Sequence, residues 1–319
     1  REDCVNLYDI LSKTFEFYGV VKNTIASLSY HHLLHEYLFK KYNEDEIIVR
    51  HNKWLRESYK GGRVEVFKRH GKNLYYYDVN SLYPTVMLLN QYPLGRGYYT
   101  KEFINNKLGI YHIRINEYIP NNFSLLSLRH DEKLVFVEGS NYEAYLTSAE
   151  IEYMMNNSKK FEYEVIKGIY FDKAEFIFSE FISYFYEERK RLKKEGNALE
   201  QIYKLTMNSC YGKFAEKPEK ETVIFSTEEP DDDKPELDLD NPDYSYQREV
   251  KFIPSKTNIA IASFITAYAR IYLTSIMDRL ASNGFEVYYC DTDSIITNAN
   301  EKQMEAIGVE ISDEIGAMK

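Results

Sequence analysis

Apolar positions open the chain with helical spacing. Leu7, Ile10, Leu11, Thr14 and Tyr18 fall on one stripe, and a second helix is predicted over 24–42. Runs of strand character follow at 63–67, 73–79, 109–115, 133–137 and 161–170. Thr147-Ser148-Ala149-Glu150 has the form of a capping box that opens a helix, and Asp172-Lys173-Ala174-Glu175 has the same form. Beyond the second box Phe178, Phe181, Ile182, Phe185, Arg189 and Leu192 repeat at helical intervals to about 195, where Gly196-Asn197 breaks the pattern. A further helix over 198–211 would complete a helical hairpin. A long apolar helix is predicted over 256–281, ended by Asn283-Gly284. Two short strands, 285–290 and 294–297, follow it and are joined by Asp291-Thr292-Asp293. Strands and helices are segregated rather than strictly alternating, which predicts an α+β fold.

Composition narrows the picture. A chain of 319 residues corresponds to two domains at about 150 residues each. With 44% hydrophobic and 15% aromatic residues it is not disordered. The apolar tract over 258–277 carries Arg270 in its interior, so no membrane span is expected. No signal peptide opens the chain. The three cysteines, Cys4, Cys210 and Cys290, make no disulfide framework, which points to a reducing, intracellular setting. Tyrosine and phenylalanine number 30 and 18 against 14 glycines and 8 prolines, a bias expected of an A/T-rich coding sequence.

The net charge of −10 argues against a plain nucleic-acid-binding module, but its distribution changes that inference. The segment 228–243, EEPDDDKPELDLDNPD, holds nine acids and one base, so the rest of the chain is close to neutral. Its prolines and lack of periodicity predict a solvated loop or insertion. The opposite pole is 50–72, where Arg50, Lys53, Arg56, Lys60, Arg63, Lys68, Arg69 and Lys72 face only Glu57 and Glu65. Within it, Tyr59-Lys60-Gly61-Gly62 pairs cations with glycines that permit close backbone approach to phosphates. His31 and His35 share a helix face, but no acid or cysteine completes a metal ligand set there, and half-buried histidines are expected.

Three constellations carry chemistry. In Asp78-Val79-Asn80-Ser81-Leu82-Tyr83-Pro84 an acid sits at the end of a predicted strand, where the chain turns into a helix near Ser81. In Tyr289-Cys290-Asp291-Thr292-Asp293-Ser294 two carboxylates crowd a tight turn and repel each other unless a cation or water compensates. In Lys204-Leu205-Thr206-Met207-Asn208-Ser209-Cys210-Tyr211-Gly212 a cation, an amide and an aromatic ring recur along one helix face. Carboxylates from two strands can hold two divalent metals for phosphoryl transfer, and cations on a helical hairpin can neutralise a triphosphate.

In that order, DxNSLYP, KxxxNSxYG and YxDTDS resemble motifs A, B and C of family B DNA polymerases. NSLYP, the YxGG-like Tyr59 to Gly62 and the long A–B spacing resemble the protein-primed branch, which copies linear viral and plasmid genomes. The resemblance implies an α+β polymerase palm with an antiparallel sheet, helical-hairpin fingers inserted into it, and an N-terminal helical remnant of an exonuclease domain. The divisions it implies are an exonuclease remnant and linker over 1–58 and a first palm part over 59–171, with a terminal-protein-type insertion. Fingers over 172–215, an acidic insertion over 216–254 and a second palm part over 255–319 complete them. It implies two Mg²⁺ ions, replaceable by Mn²⁺, on Asp78, Asp293 and the Val79 carbonyl, with Asp291 adding charge. Ser81, Leu82 and Tyr83 would lie at the nucleotide, Tyr83 packing under the deoxyribose as a gate against a 2′-hydroxyl. Arg189, Lys193 and Lys204 would hold the triphosphate, and Asn208 and Tyr211 would line the nascent base pair. Tyr59, Gly61, Gly62, Gly212 and Lys213 would contact DNA. The partners implied are template and primer DNA, a dNTP and a terminal protein, in a mitochondrion bearing a linear plasmid or in a virus- or phage-infected cell.

The pattern departs from the family at both ends. Arg1-Glu2-Asp3 resembles the tail of the third exonuclease motif without its tyrosine, and Asp3 would be that motif's aspartate. No thumb motif follows the second palm part. A fragment lacking a thumb and 3′–5′ exonuclease activity is therefore expected. Two other readings stay open at this point: a catalytically weak or dead remnant that only binds DNA, and another palm enzyme such as a reverse transcriptase.

Overall fold

In the computed structural model, the residues described are 12, 14, 16–47, 53–131, 133–217 and 257–319, together with the backbone of three strands between 219 and 252. Of the first predicted stripe, Leu7, Ile10 and Leu11 lie outside the described residues, as do Asp3, Cys4 and Arg50. Thr14 and Tyr18 are buried, and the Tyr18 hydroxyl meets Thr206 Oγ1 at 2.5 Å.

The sheet that organises the molecule is antiparallel, in the order β1 (Val64–Val66), β12 (Val287–Asp291), β13 (Ser294–Thr297), β2 (Tyr75–Asp78). Against it lies the helix Ile259–Ser282, N-capped by Asn258, whose side chain accepts from the N–H groups of Ala260 and Ile261. This helix is long and apolar enough to cross a membrane, but here it is the core itself. Phe264, Ile265, Leu273 and Met277 are fully enclosed, and Arg270 is buried with them.

A second sheet has the order β3 (Tyr92–Thr100), β8 (Ser158–Glu175), β4 (Gly109–Pro120), β7 (Tyr142–Thr147). It builds a satellite core from Tyr111, Ile113, Ile115, Leu146, Ile151 and Met154. The helix Ser148–Asn156 opens with the predicted box: Thr147 Oγ1 accepts from the Glu150 N–H, and the Glu150 carboxylate accepts from the Thr147 N–H. A small hairpin, β5 (Ser127–His130) with β6 (Lys133–Phe136), lies beside it. The helices Ser179–Lys194 and Leu199–Ser209 form the predicted hairpin, turned at Gly196 with φ +65°.

Several expectations are corrected. Asp172 to Glu175 does not open a helix. These residues finish β8, where Lys173, Ala174 and Glu175 pair with Leu94, Pro93 and Tyr92. Asp172 Oδ1 accepts from the Arg96 N–H at a bulge where Gly95 has φ +74°, so the carboxylate satisfies a strand irregularity instead of a helix end. The helix starts only at Ser179. The helix predicted over 24–42 is Ile25–His32 continued by a π-helical stretch, Leu33–Leu38, whose wider turn brings Leu33, Leu34 and Leu38 all into the core. Strands β3, β5 and β7 fall outside the predicted runs; β3 contains Pro93, Gly95 and Gly97, which weaken a strand pattern. The acidic segment is not wholly loop: β10 (Glu236–Leu237) lies within it, between β9 (Glu219–Ser226) and β11 (Ser245–Phe252), which pair antiparallel. Most of its acids lie outside the described residues.

Candidate active site

Three elements meet at one end of the first sheet. Strands β12 and β13 are joined by the two-residue turn Thr292-Asp293, with Asp291 paired to Ser294. Ser294 in turn pairs with Asp78 at the end of β2, and the Val79 N–H donates to the Asp293 carbonyl at 2.8 Å. Antiparallel register therefore brings Asp78 and Asp293 together from segments more than two hundred residues apart. Asp293 is half-buried. Burial first, and the neighbouring Asp78 and Asp291 next, push its carboxyl above the usual aspartate range, with Lys319 opposing them. Asp291 has both oxygens engaged, Oδ2 by the Tyr289 hydroxyl at 3.2 Å and Oδ1 by the Thr292 hydroxyl at 3.0 Å. Among the described residues no cluster of three or more His, Cys, Asp or Glu forms a closed metal cage.

The segment after Asp78 turns sharply. Ser81 adopts a left-handed conformation, φ +55° and ψ +57°, and the helix Leu82–Leu89 follows, with Leu82 buried and Tyr83 half-buried. Tyr83 stacks on Tyr211, with centroids 4.2 Å apart and planes 20° from parallel. Their hydroxyls are hydrogen-bonded, and burial raises both phenol pKa values. Tyr59 and Asp293 both act electrostatically on this pair. The first, second and third constellations thus converge with Tyr59 around one site. Tyr211 itself is not on the helix of Lys204 and Asn208. That helix ends at Ser209, and Tyr211 opens a 3₁₀ turn, Tyr211–Ala215, which carries the exposed Gly212 and the Lys213–Glu216 ion pair. Asn208 spends its amide on the Lys204 carbonyl one turn back, at 2.8 Å.

On the helical hairpin, Arg189 Nε donates to Glu200 Oε1 at 2.8 Å, across the two helices. Arg189, Lys193, Lys190 and Lys194 line a cleft of about 350 Å³ facing Asp313 and Glu314. Lys190 and Glu314 were not foreseen. Lys190 Nζ contacts both Glu314 oxygens at 2.8 and 2.9 Å, and the Tyr186 hydroxyl donates to the same carboxylate.

The basic stretch over 50–72 is only partly a surface. Lys60 and Arg63 are buried, at 4% and 2% exposure. Lys60 Nζ donates to the Ser127 carbonyl, and desolvation pulls its pKa down to about 7. Arg63 is enclosed by Phe67, Phe123 and Phe136 and paired with Glu65. These two cations hold the fold rather than meet phosphates. The sequence places Arg270 inside an apolar helix. The structure explains it: Arg270 Nη2 meets Glu150 Oε1 at 2.8 Å with both side chains wholly enclosed, and Nη1 donates to the Lys60 and Gly61 carbonyls, both at 2.8 Å. His31 and His35 lie with rings 4.2 Å apart and no third ligand among the described residues. Cys210 and Cys290 are free and buried.

A family described as DNA polymerase type B, organellar and viral, matches residues 1–303. A probable DNA polymerase of Neurospora intermedia is 29% identical over 290 residues, which cover 83% of this chain and 29% of that protein. The DNA-directed DNA polymerase of Enterobacteria phage PRD1 is 28% identical over 307 residues, 93% of this chain and 52% of that protein. Among solved structures, phi29 DNA polymerase complexed with primer-template DNA superimposes with a TM-score of 0.76 at 21% identity, over 97% of this chain and 54% of that one. The chain thus spans about half or less of the length of these relatives.

Proposed function

The chain belongs to the organellar and viral type B DNA polymerases, and on that premise we propose that it carries the nucleotidyl-transfer centre for template-directed DNA synthesis. The family read from the three motifs is the family the matches show, and the α+β fold is shared with phi29 polymerase. The observation that carries the proposal is the convergence of Asp78 and Asp293 beside the stacked Tyr83–Tyr211 pair.

A primer 3′-hydroxyl attacks the α-phosphorus of a dNTP. A phosphodiester bond forms, the α–β phosphoanhydride breaks, and pyrophosphate leaves with the electron pair while the hydroxyl proton is released. Two Mg²⁺ ions would suit the carboxylate pair: burial first, and Asp78 next, raise the Asp293 carboxyl, a cost a dication would relieve. Asp78, Asp293 and the Val79 carbonyl would hold them, with Mn²⁺ as a substitute, and Asp291 contributes charge. When bound, the metals supply Lewis-acid stabilisation of the attacking and leaving oxygens. Lys204, Lys193 and Arg189 bind the triphosphate. Glu200 engages one nitrogen of Arg189, which leaves its guanidinium oriented rather than free to swing. Tyr83, with Ser81 and Leu82 setting its helix, packs under the sugar. Asn208 and Tyr211 bound the nascent base pair, and Tyr59, Gly61, Gly212 and Lys213 follow the template and primer strands. A terminal-protein hydroxyl as the starting nucleophile, and a linear mitochondrial plasmid, virus or phage as the genome, follow from the same family reading. Fungal and phage relatives support that setting.

Primer extension with labelled dNTPs and Mg²⁺ on a primed DNA template tests the proposal. Template-dependent extension is expected. A chain that binds primed DNA without extending it is a dead remnant, and a preference for RNA template identifies a different palm enzyme. Tyr83→Val is expected to raise rNTP incorporation about 10-fold or more, as loss of one steric contact of about 1–3 kcal/mol would. Unchanged sugar discrimination in single-nucleotide kinetics would remove Tyr83 from the gate.

A further inference from the structure

The two glycines after Tyr59 were read as DNA contacts, but their surroundings differ. Nothing lies within 4 Å of a Cβ built on Gly61. A Cβ on Gly62 would meet Thr292 Oγ1 at 2.7 Å, Cγ2 at 2.8 Å and Cβ at 3.0 Å. Thr292 is the first residue of the turn that presents Asp293. It is β-branched yet has φ +55°, a conformation such residues avoid, so its surroundings must hold it there. Its N–H donates to the Arg63 carbonyl at 2.7 Å, and its hydroxyl to Asp291 Oδ1. The segment that supplies this seat is fixed from behind. Arg270 ties the Lys60 and Gly61 carbonyls to the buried Glu150, and Lys60 Nζ is anchored on Ser127.

We infer that Gly62 is a positioning residue for the carboxylate turn: the missing side chain is the space Thr292 occupies, and residues 60–63 are the seat that sets where Asp293 points. This inference rests on the polymerase reading above, since it assigns the consequence to nucleotidyl transfer. The threonine atoms in contact are close to its backbone, so an added methyl displaces the turn rather than rotating a flexible end.

The test compares wild type, Gly62→Ala, Thr292→Gly and the double variant. Gly62→Ala is expected to lower kcat for primer extension about 10- to 100-fold, the order that an ångström-scale misplacement costs. The dNTP KM and the primer-template Kd should stay within about twofold, because the displaced group is the turn and not a DNA contact. In the Thr292→Gly background, which removes all three crowded atoms and suits a positive φ, the same alanine should cost less than about threefold. Equal losses in both backgrounds, a weakened Kd as the main effect, or full activity in Gly62→Ala would overturn the inference. Melting temperatures of the four proteins give a readout that needs no activity. The alanine should lower Tm with Thr292 present and leave it nearly unchanged without, and parallel shifts refute the coupling. Wild-type protein that does not extend a primer refutes the polymerase reading, and the melting series then still decides the seat.

Discussion

Asp293→Asn is expected to abolish primer extension while raising the melting temperature of the metal-free protein. The loss should reach at least about 10³-fold, equivalent to about 4 kcal/mol of barrier. It follows from removing one of the two carboxylates that antiparallel register gathers at the sheet's end. The stabilisation follows from linkage. Burial, Asp78 and Asp291 raise the Asp293 carboxyl in the folded chain, so the folded state binds the proton more tightly than the unfolded state. Stability then falls as pH rises from the ordinary aspartate value through the raised one, and above it the ionised pair remains a cost. Asparagine removes that cost at neutral pH, and the difference from wild type should shrink as pH falls toward the ordinary value. Melts at neutral pH in EDTA, repeated in acid and with Mg²⁺, check this. Mg²⁺ should stabilise wild type and not the variant. For the same reason extension by wild type should fail on the acid side, as Asp293 takes up its proton. Extension surviving in the variant would remove Asp293 from the metal role, and a variant less stable than wild type in EDTA would show that no repulsion is stored there. The expected pattern is that of a site held in conflict until charge compensation arrives.

What the sequence made legible was which residues gather at the end of the first sheet. Asp78, Tyr83, Tyr211 and Asp293 come together as their motifs imply. What stayed hidden was which charges face inward. Lys60 and Arg63 belong to a basic stretch that composition assigns to the surface, and helix 259–282, the hairpin β5–β6 and the rings of Phe67 and Phe123 enclose them. Local signals also lost where a distant strand competed. Asp172 has every feature of a helix cap, yet β3 offers its residues a complete ladder and a bulge N–H, and long-range pairing wins. Arg270 was visible as a charge within an apolar tract but had no partner in sequence. Glu150 had its role in the capping box as a sufficient local explanation, so nothing pointed from one to the other.

The same hidden pair yields the largest expected effect on stability. Glu150→Ala should cost about 3–5 kcal/mol, the penalty for leaving a buried charge without its partner. For a chain of this size that is roughly 5–8 °C in melting temperature. Two losses combine: the capping box at Thr147 opens, and Arg270 remains as a cation in the interior without its partner, while Lys60 loses the acid that favours its charged form. The electrostatics agree in direction. Burial alone would push the Glu150 carboxyl up, but Arg270, Lys60 and the Thr147 N–H outweigh it and hold the carboxyl below its usual range. Its contribution is therefore present at neutral pH and lost as pH falls through that depressed value. Removing Arg270 as well should restore part of the loss, because the guanidinium left unpaired by the first change is then gone too. A coupling of more than about 1 kcal/mol is expected in the double-mutant cycle Glu150→Ala with Arg270→Ala, measured by urea denaturation. Additive losses would mean that Glu150 acts only as a cap. Because Arg270 also carries the Lys60 and Gly61 carbonyls, the Glu150 variant that still folds should show a lowered kcat and an unchanged dNTP KM, linking a buried ion pair between two helices to the turn at the end of the first sheet.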